Sequence, residues 1–200
     1  ERIVSLVTPA QARLSAAATI LSPFIPMLFM GEEYGVTAPF QYFTSHSDEA
    51  LIEAVRKGRA EEFDDFTWSG EPPDPHDEET FRGSKLNWSA LENEDHASML
   101  RMYRELLAIR RNNAALSRLD LQSLETHADE AEKLLFVRRG SDANEVLVVF
   151  HFGGKPATAD LPFEDADWQP LLDTGASIEA RRLTIPPHAF GVWSATRTSR

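Results

Sequence analysis

No cysteine occurs among the 200 residues, which excludes disulfides, a thiolate nucleophile and any cysteine-ligated metal. The chain needs no oxidising compartment, and a cytoplasmic location is the expectation that follows. An excess of positive charge is missing too: 20 Lys and Arg stand against 32 Asp and Glu, a formal net charge of -12. With no basic patch in the sequence, neither nucleic acid nor an anionic membrane surface is an expected partner. The longest apolar stretch, Ala16 to Met30, is interrupted by Ser22, Pro23 and Pro26, so it is too broken to span a bilayer and reads as core.

Chemical signatures are sparse as well. There is no glycine-rich dinucleotide fingerprint and no G-x-S-x-G elbow. The GGK at Gly153 to Lys155 lacks the upstream glycine and the following Ser or Thr of a phosphate loop, so it reads as a hairpin turn. His46, His76, His96, His127, His151 and His188 show no close pairing of metal-ligand type, and neither a metal nor another cofactor is expected. The chain opens on Glu1 rather than Met and reaches a helix signal at Thr8, which suggests a piece of something longer.

What is present is enough for a sizeable core: 42% of residues are hydrophobic and 10% aromatic. Thr8, Pro9 and Gln11 form a helix start, with a capping hydroxyl, a proline in the first turn and a glutamine three residues after the cap. The alanine-rich helix should run to Leu21 and stop at Pro23. Ile25 to Met30 then predicts a short strand buried on both faces, as in a helix-covered parallel sheet.

From Val36 to about Asp95 the sequence is polar and irregular, apart from a helix expected from Asp48 to about Lys57, begun by Ser47 and ended near Gly58. EPPDPHDEE, Glu71 to Glu79, reads as loop. Buried-type aromatics at Phe40, Tyr42, Phe43, Phe63, Phe66, Trp68, Phe81 and Trp88 predict that this long segment is ordered. A second strong helix is expected from His96 to Asn112, with Leu100, Tyr103, Leu106 and Leu107 on one face, Met99 beside them, and Arg110 and Arg111 at its carboxyl end. Beyond about Leu116 come short β-rich runs separated by turn clusters such as GSDAN and GGKP, the pattern of a small antiparallel sandwich or barrel. The domain boundary falls near Asn113 to Arg118.

A buried strand followed at once by acidic and aromatic residues suggests a ligand face, because α/β folds bind ligands outside the carboxyl ends of their strands. Phe40, Gln41, Tyr42, Phe43, Thr44 and His46 mix rings with hydroxyl, amide and imidazole groups, which suits sugars. The same rings also fit a plainer role as filler beneath a long loop. Glu32 and Glu33 invite an acid and base pairing across a glycosidic bond, which needs carboxyls roughly 5 to 10 Å apart. Neighbours on an extended chain point to opposite sides, so they make a poor pair. One is expected to be tied to backbone or an arginine while the other borders the site.

LSPFIPMLFMGEEYG, PFQYFTSH, AVRKGRAEEF, PPDPHDEETFRGSKLNWS and RELLAIRRN resemble the carboxyl-terminal part of malto-oligosyltrehalose trehalohydrolases, of the α-amylase superfamily (glycoside hydrolase family 13). The P-M-L-F-M-G-E-E-x-G segment is shared with glycogen branching enzymes, whereas FQYFTSH and PDP…SKLNW favour the trehalohydrolase. The closing PPHAFGVWSA is similar to the last strand of many amylase-family C-terminal domains.

The fold class implied is α/β plus all-β. Residues 1–115 would form the last part of a TIM (β/α)8 barrel, with helix 7 at Thr8 to Leu21, strand 8 at Ile25 to Met30 and helix 8 at His96 to Asn112. Residues 116–200 would form an antiparallel β-sandwich C-terminal domain. The reaction implied is retaining cleavage of the α-1,4 bond next to the terminal trehalose of a malto-oligosyltrehalose, releasing trehalose. The family's aspartate nucleophile, glutamate acid/base and stabilising aspartate follow strands four, five and seven, and none is present here. The chain alone is therefore expected to be inert.

Glu33, Tyr34, Phe40, Tyr42 and Phe43 are the residues expected to line or support the substrate site. The partners implied are malto-oligosyltrehalose or a related α-glucan, and the rest of the barrel. Exposure of the edge and both faces of Ile25 to Met30 would favour self-association. Two readings compete: an amylase-family glucan transferase such as a branching enzyme, and a non-catalytic module that binds glucan or stabilises the barrel.

Overall fold

The computed structural model describes residues 1–64, 72–119, 121–141, 144–164 and 166–195. Phe66, Trp68, the side chain of Phe63, Glu71 and the centre of the GSDAN turn lie outside them. The helices are α1 (Ile3–Leu6), α2 (Pro9–Leu21), α3 (Glu49–Asp64), α4 (Glu78–Gly83), α5 (Glu94–Asn112) and α6 (Ala114–Ser117). Two 3-10 turns occur at Glu32–Tyr34 and Trp88–Glu92. Among the described residues eight strands follow: β1 (Leu124–Asp129), β2 (Leu134–Ser141), β3 (Asn144–His151), β4 (Ala157–Asp160), β5 (Gln169–Pro170), β6 (Ser177–Glu179), β7 (Arg182–Ile185) and β8 (Ala189–Ala195).

Helix α2 starts as its sequence dictates: Thr8 and Gln11 form a capping box and Pro9 occupies the first turn. Helix α3 departs from expectation at both ends. Its first turn is held by the Asp48 carboxylate, which accepts from the Leu51 amide at 3.0 Å, and not by Ser47. It also runs through Gly58 to Asp64. A helical glycine costs only about 1 kcal/mol, and the flanking Lys57–Glu61 and Arg59–Glu62 pairs favour continuation. The acidic stretch read as loop turns helical at Glu78 because Asp77 caps α4 by accepting from the Glu79 amide.

Two antiparallel sheets form the β-rich half, one ordered β1-β2-β3-β8-β5 and the other β4-β7-β6. Strands β2, β3 and β8 alternate between two cores. Leu134, Phe136, Leu147, Val149, Trp193 and Ala195 face the small sheet, where they meet Leu183 and Ile185. Val137, Val146, Val148, Phe150, Phe190 and Val192 face the other way, onto Ile20 and Leu21 of α2 and Met102 and Leu106 of α5. The near-continuous apolar run of β3 follows from burial on both faces, which period-2 reading otherwise associates with parallel sheets.

Helix α5 buries Met99, Met102, Tyr103, Leu106 and Arg110, while Leu107 is exposed. The stripe is therefore rotated from the expected one, because Arg110 turns inward. Its guanidinium donates to the carbonyls of Ser22 at 2.6 Å and Phe24 at 2.7 Å, and also to that of Ile20. It thus caps the carboxyl end of α2, not that of its own helix. From the sheet side the buried Arg139 reaches the same Ser22 carbonyl at 3.4 Å and donates to the Arg118 carbonyl at 2.7 Å. Burial lowers the pKa of both guanidiniums, and the charge of Arg110 adds to the effect on Arg139.

The expected strand at Ile25 to Met30 is not formed. No described residue pairs with it, and Ile25 and Met27 are 77% and 89% exposed. A strand exists only through its ladder partners, and an apolar run without them stays extended. Its ends are nevertheless fixed, since Arg110 takes the Phe24 carbonyl and the Arg2 guanidinium donates to Met30 O at 2.9 Å.

Candidate functional site

The site is organised by a tight turn between two left-handed glycines, Gly31 at φ 88° and Gly35 at φ 68°. A side chain at Gly31 would be strained by that φ, and its Cβ would come within 2.5 Å of Val36 Cγ1 and 2.8 Å of Leu86 Cδ2. Between the glycines, Glu32 to Tyr34 make one 3-10 turn. Glu32 accepts from the Phe29 amide at 3.0 Å and from the Tyr103 hydroxyl at 3.1 Å, which ties the turn to α5. Glu33 accepts from the Gly31 amide at 2.8 Å. Where one glutamate was expected to be tied to backbone or an arginine and the other to border the site, both carboxylates serve local backbone donors, and Glu32 is also anchored across the fold.

Tyr34 is fully buried, so its place is under the site rather than on its wall. Its ring stacks on Trp88 with centroids 5.4 Å apart, and its carbonyl lies 2.7 Å from His96 Nδ1. Burial first, and the Glu33 charge second, raise its phenol pKa. Trp88 itself is 60% exposed, against the buried role expected of it. Leu86 and Trp88, both from the KLNW stretch, thus pack directly against the GEEYG turn. That contact joins two motifs more than 50 residues apart, and sequence reasoning had no periodicity by which to find it.

Phe40, Tyr42 and Phe43 come together with residues from three other segments. Rings meet edge to face from Phe29 to Phe40 (5.3 Å), Phe40 to Phe43 (6.0 Å) and Phe43 to Phe81 (5.0 Å). Arg2 covers Phe29 at 5.0 Å and Lys85 covers Phe81 at 4.7 Å. Phe40 and Tyr42, about half exposed, line a cleft of about 400 Å³ with Gln41, Arg59, Pro72 and Pro73, and Arg59 stacks on Tyr42 at 4.9 Å. The loop is held from below: the Thr44 amide donates to the Pro75 carbonyl at 2.7 Å, and the Gln41 amide to Ser84 Oγ at 3.1 Å. Asp74, paired with Arg56 at 2.8 Å, fixes the facing segment, and the Arg56 guanidinium lowers the Asp74 carboxyl pKa.

A rigid row of half-exposed rings beside amide, hydroxyl and guanidinium groups can stack on sugar C–H faces while its polar groups meet hydroxyls. Among the described residues no group of three or more His, Asp or Glu side chains converges as metal ligands would. No described helix is long and apolar enough to cross a membrane.

Residues 121–192 match a domain of unknown function, DUF3459, which occurs as a C-terminal domain of alpha-amylase family enzymes. The fold superposes on a candidate alpha amylase from Salmonella typhimurium with TM-score 0.77 and 30% identity, over 98% of this chain and 32% of that one. Trehalose-6-phosphate hydrolase from Bacillus licheniformis shares the fold at TM-score 0.59 and 19% identity, over 94% of this chain and 39% of that one.

More specifically, the chain is similar in sequence to part of several proteins named malto-oligosyltrehalose trehalohydrolase. It is 42% identical over 150 residues to that of Rhizobium sp. strain M-11, covering 74% of this chain and 24% of the relative. It is 38% identical over 189 residues to that of Mycobacterium tuberculosis, covering 92% of this chain and 32% of the relative. With the Brevibacterium helvolum protein the identity is 37% over 198 residues, 98% of this chain and 31% of the relative. The chain thus spans about a quarter to a third of the length of these curated relatives.

Proposed function

We propose that this chain is the end of the catalytic barrel and the C-terminal β domain of a glycoside hydrolase that releases trehalose from malto-oligosyltrehalose. In this reading α2 is the seventh barrel helix, Ile25 to Met30 is the eighth strand awaiting its neighbours, and α5 is the last barrel helix. The observation that carries it is the Gly31–Gly35 turn, with both glutamates anchored, set at the end of that apolar run and beside the Phe29, Phe40, Phe43 and Phe81 row. Sequence identity with trehalohydrolases across most of the chain supports the same reading.

In this proposal Phe40, Tyr42 and Phe43 wall the glucan cleft, Tyr34 supports them, and Glu33 borders the site without taking part in proton transfer. Carboxylates engaged with backbone N–H groups are positioned to brace a turn, not to exchange protons with a leaving group. The chain by itself is then inert. Incubated with maltotriosyltrehalose, it should release no trehalose above a buffer blank, whereas the full-length parent should release trehalose and form no α-1,6 branches. Turnover by the isolated chain would overturn its inertness, and branching by the parent would overturn the substrate assignment.

A further inference from the structure

Arg2 is only 7% exposed, and its partners are two carbonyls and a ring. Its Nε donates to the Ala38 carbonyl at 2.8 Å and its Nη1 to the Met30 carbonyl at 2.9 Å. Those carbonyls stand at the two ends of the segment that carries the Gly31–Gly35 turn. One guanidinium thus clasps the segment from outside, while the Val36 amide closes it from within by donating to the Gly31 carbonyl at 2.9 Å. A planar fork can serve two carbonyls in one fixed geometry, which a lysine ammonium on its flexible stem does not.

The clasp fixes more than the turn. Phe29 immediately precedes Met30, and Phe40 follows Ala38 by two residues. Holding both carbonyls on one guanidinium sets where the two rings leave the backbone, and they meet edge to face at 5.3 Å. The same guanidinium lies over Phe29 at 5.0 Å. Both rings stay about half exposed, so the edge they form is open to a ligand. The far end of the row is held by other means: the Gln41 amide on Ser84 Oγ, the Thr44 amide on the Pro75 carbonyl, and Phe43 against Phe81. The remaining amine of Arg2, Nη2, is shut off from solvent without a partner. An idle buried donor costs free energy, so this arginine is a poor device for stability alone.

We propose that Arg2 is a positioning residue for ligand binding: by clasping Met30 and Ala38 it holds Phe29 and Phe40 as one fixed edge of the aromatic row. It touches no ligand and acts through those two rings. Its effect on binding rests on the proposed role of the row as a glucan wall, whereas its effect on the rings does not.

Two measurements test it. In the 200-residue chain, NMR should show cross-relaxation between the Phe29 and Phe40 rings and between the Phe43 and Phe81 rings. Arg2→Met should abolish the first and keep the second, with circular dichroism unchanged. Arg2→Lys, which retains a cation near Phe29 and one donor, should keep part of the first. In the full-length parent acting on maltotriosyltrehalose, Arg2→Met should raise KM by about threefold to tenfold, the worth of about one aromatic contact, with kcat within about twofold of the parent's. Arg2→Lys should fall between the two. The role of Arg2 is overturned if Arg2→Met keeps the Phe29–Phe40 signal, if it loses both signals together, or if kcat falls without a rise in KM. A parent that releases no trehalose overturns the proposed reaction instead, and the ring signals then decide the role of Arg2 on their own.

Discussion

Tyr103 and Glu32 are 71 positions apart, yet their hydrogen bond is what fixes the GEEYG turn to the helical layer. Burial is the main reason the Tyr103 phenol pKa is raised, with the Glu32 charge and hydrogen bond second. A phenol whose pKa is raised on folding contributes stability that is complete below the unfolded value near about 10 and is lost as pH rises towards the folded value. Urea denaturation should therefore show stability falling from about pH 10 upward. Tyr103→Phe should flatten that decline and cost about 1 to 2 kcal/mol at neutral pH by leaving Glu32 one donor short. An unchanged alkaline limb in the variant would rule out this role. The doublet of glutamates was legible in the sequence, and so was the argument that neighbours cannot form a catalytic pair. The donor to Glu32 was not, because nothing local in RMYRELL distinguishes a tyrosine that packs from one that also bonds across the fold.

At the scale of elements, the end of α2 is capped by an arginine from α5 and approached by another from β2. Replacing Arg110 with methionine keeps the apolar stem but removes the donors to Ile20, Ser22 and Phe24. This should cost about 2 to 4 kcal/mol, since several part-buried carbonyls lose their partner. Chemical denaturation of Arg110→Met against the parent measures it, and a loss below 1 kcal/mol would show that water replaces the cap without penalty. The start of α2 could be read from Thr8, Pro9 and Gln11, because a capping box is a local device. The register of the α5 stripe could not, because an arginine near a helix end serves its own dipole by default. Only the nearby carboxyl end of α2 draws Arg110 inward.

For the whole molecule, the exposed run from Phe24 to Met30 should govern behaviour in solution. Phe24, Ile25, Met27, Phe29 and Met30 together present apolar surface that monomeric proteins seldom leave open. Sedimentation should show the chain self-associating with rising concentration. The double change Ile25→Lys and Met27→Lys should shift it towards monomer without altering its circular dichroism, because those two side chains are 77% and 89% exposed and touch little. Association undiminished by the double change would move the contact elsewhere.

The sequence by itself determined the local devices: the capping box of α2, the glutamate doublet after the apolar run, the short β-rich runs and turn clusters beyond Leu116, and the family motifs between Leu21 and Asn112. These depend on dihedral preferences and on near neighbours, which a string of residues carries directly. Only the tertiary structure decided that KLNW seats on the GEEYG turn, that four rings of three segments form one row, and that the helices and the main sheet share a core. Each of those is a contact between residues far apart in the chain. Such contacts are set by which surfaces can be buried together, and no periodicity within a single segment records that.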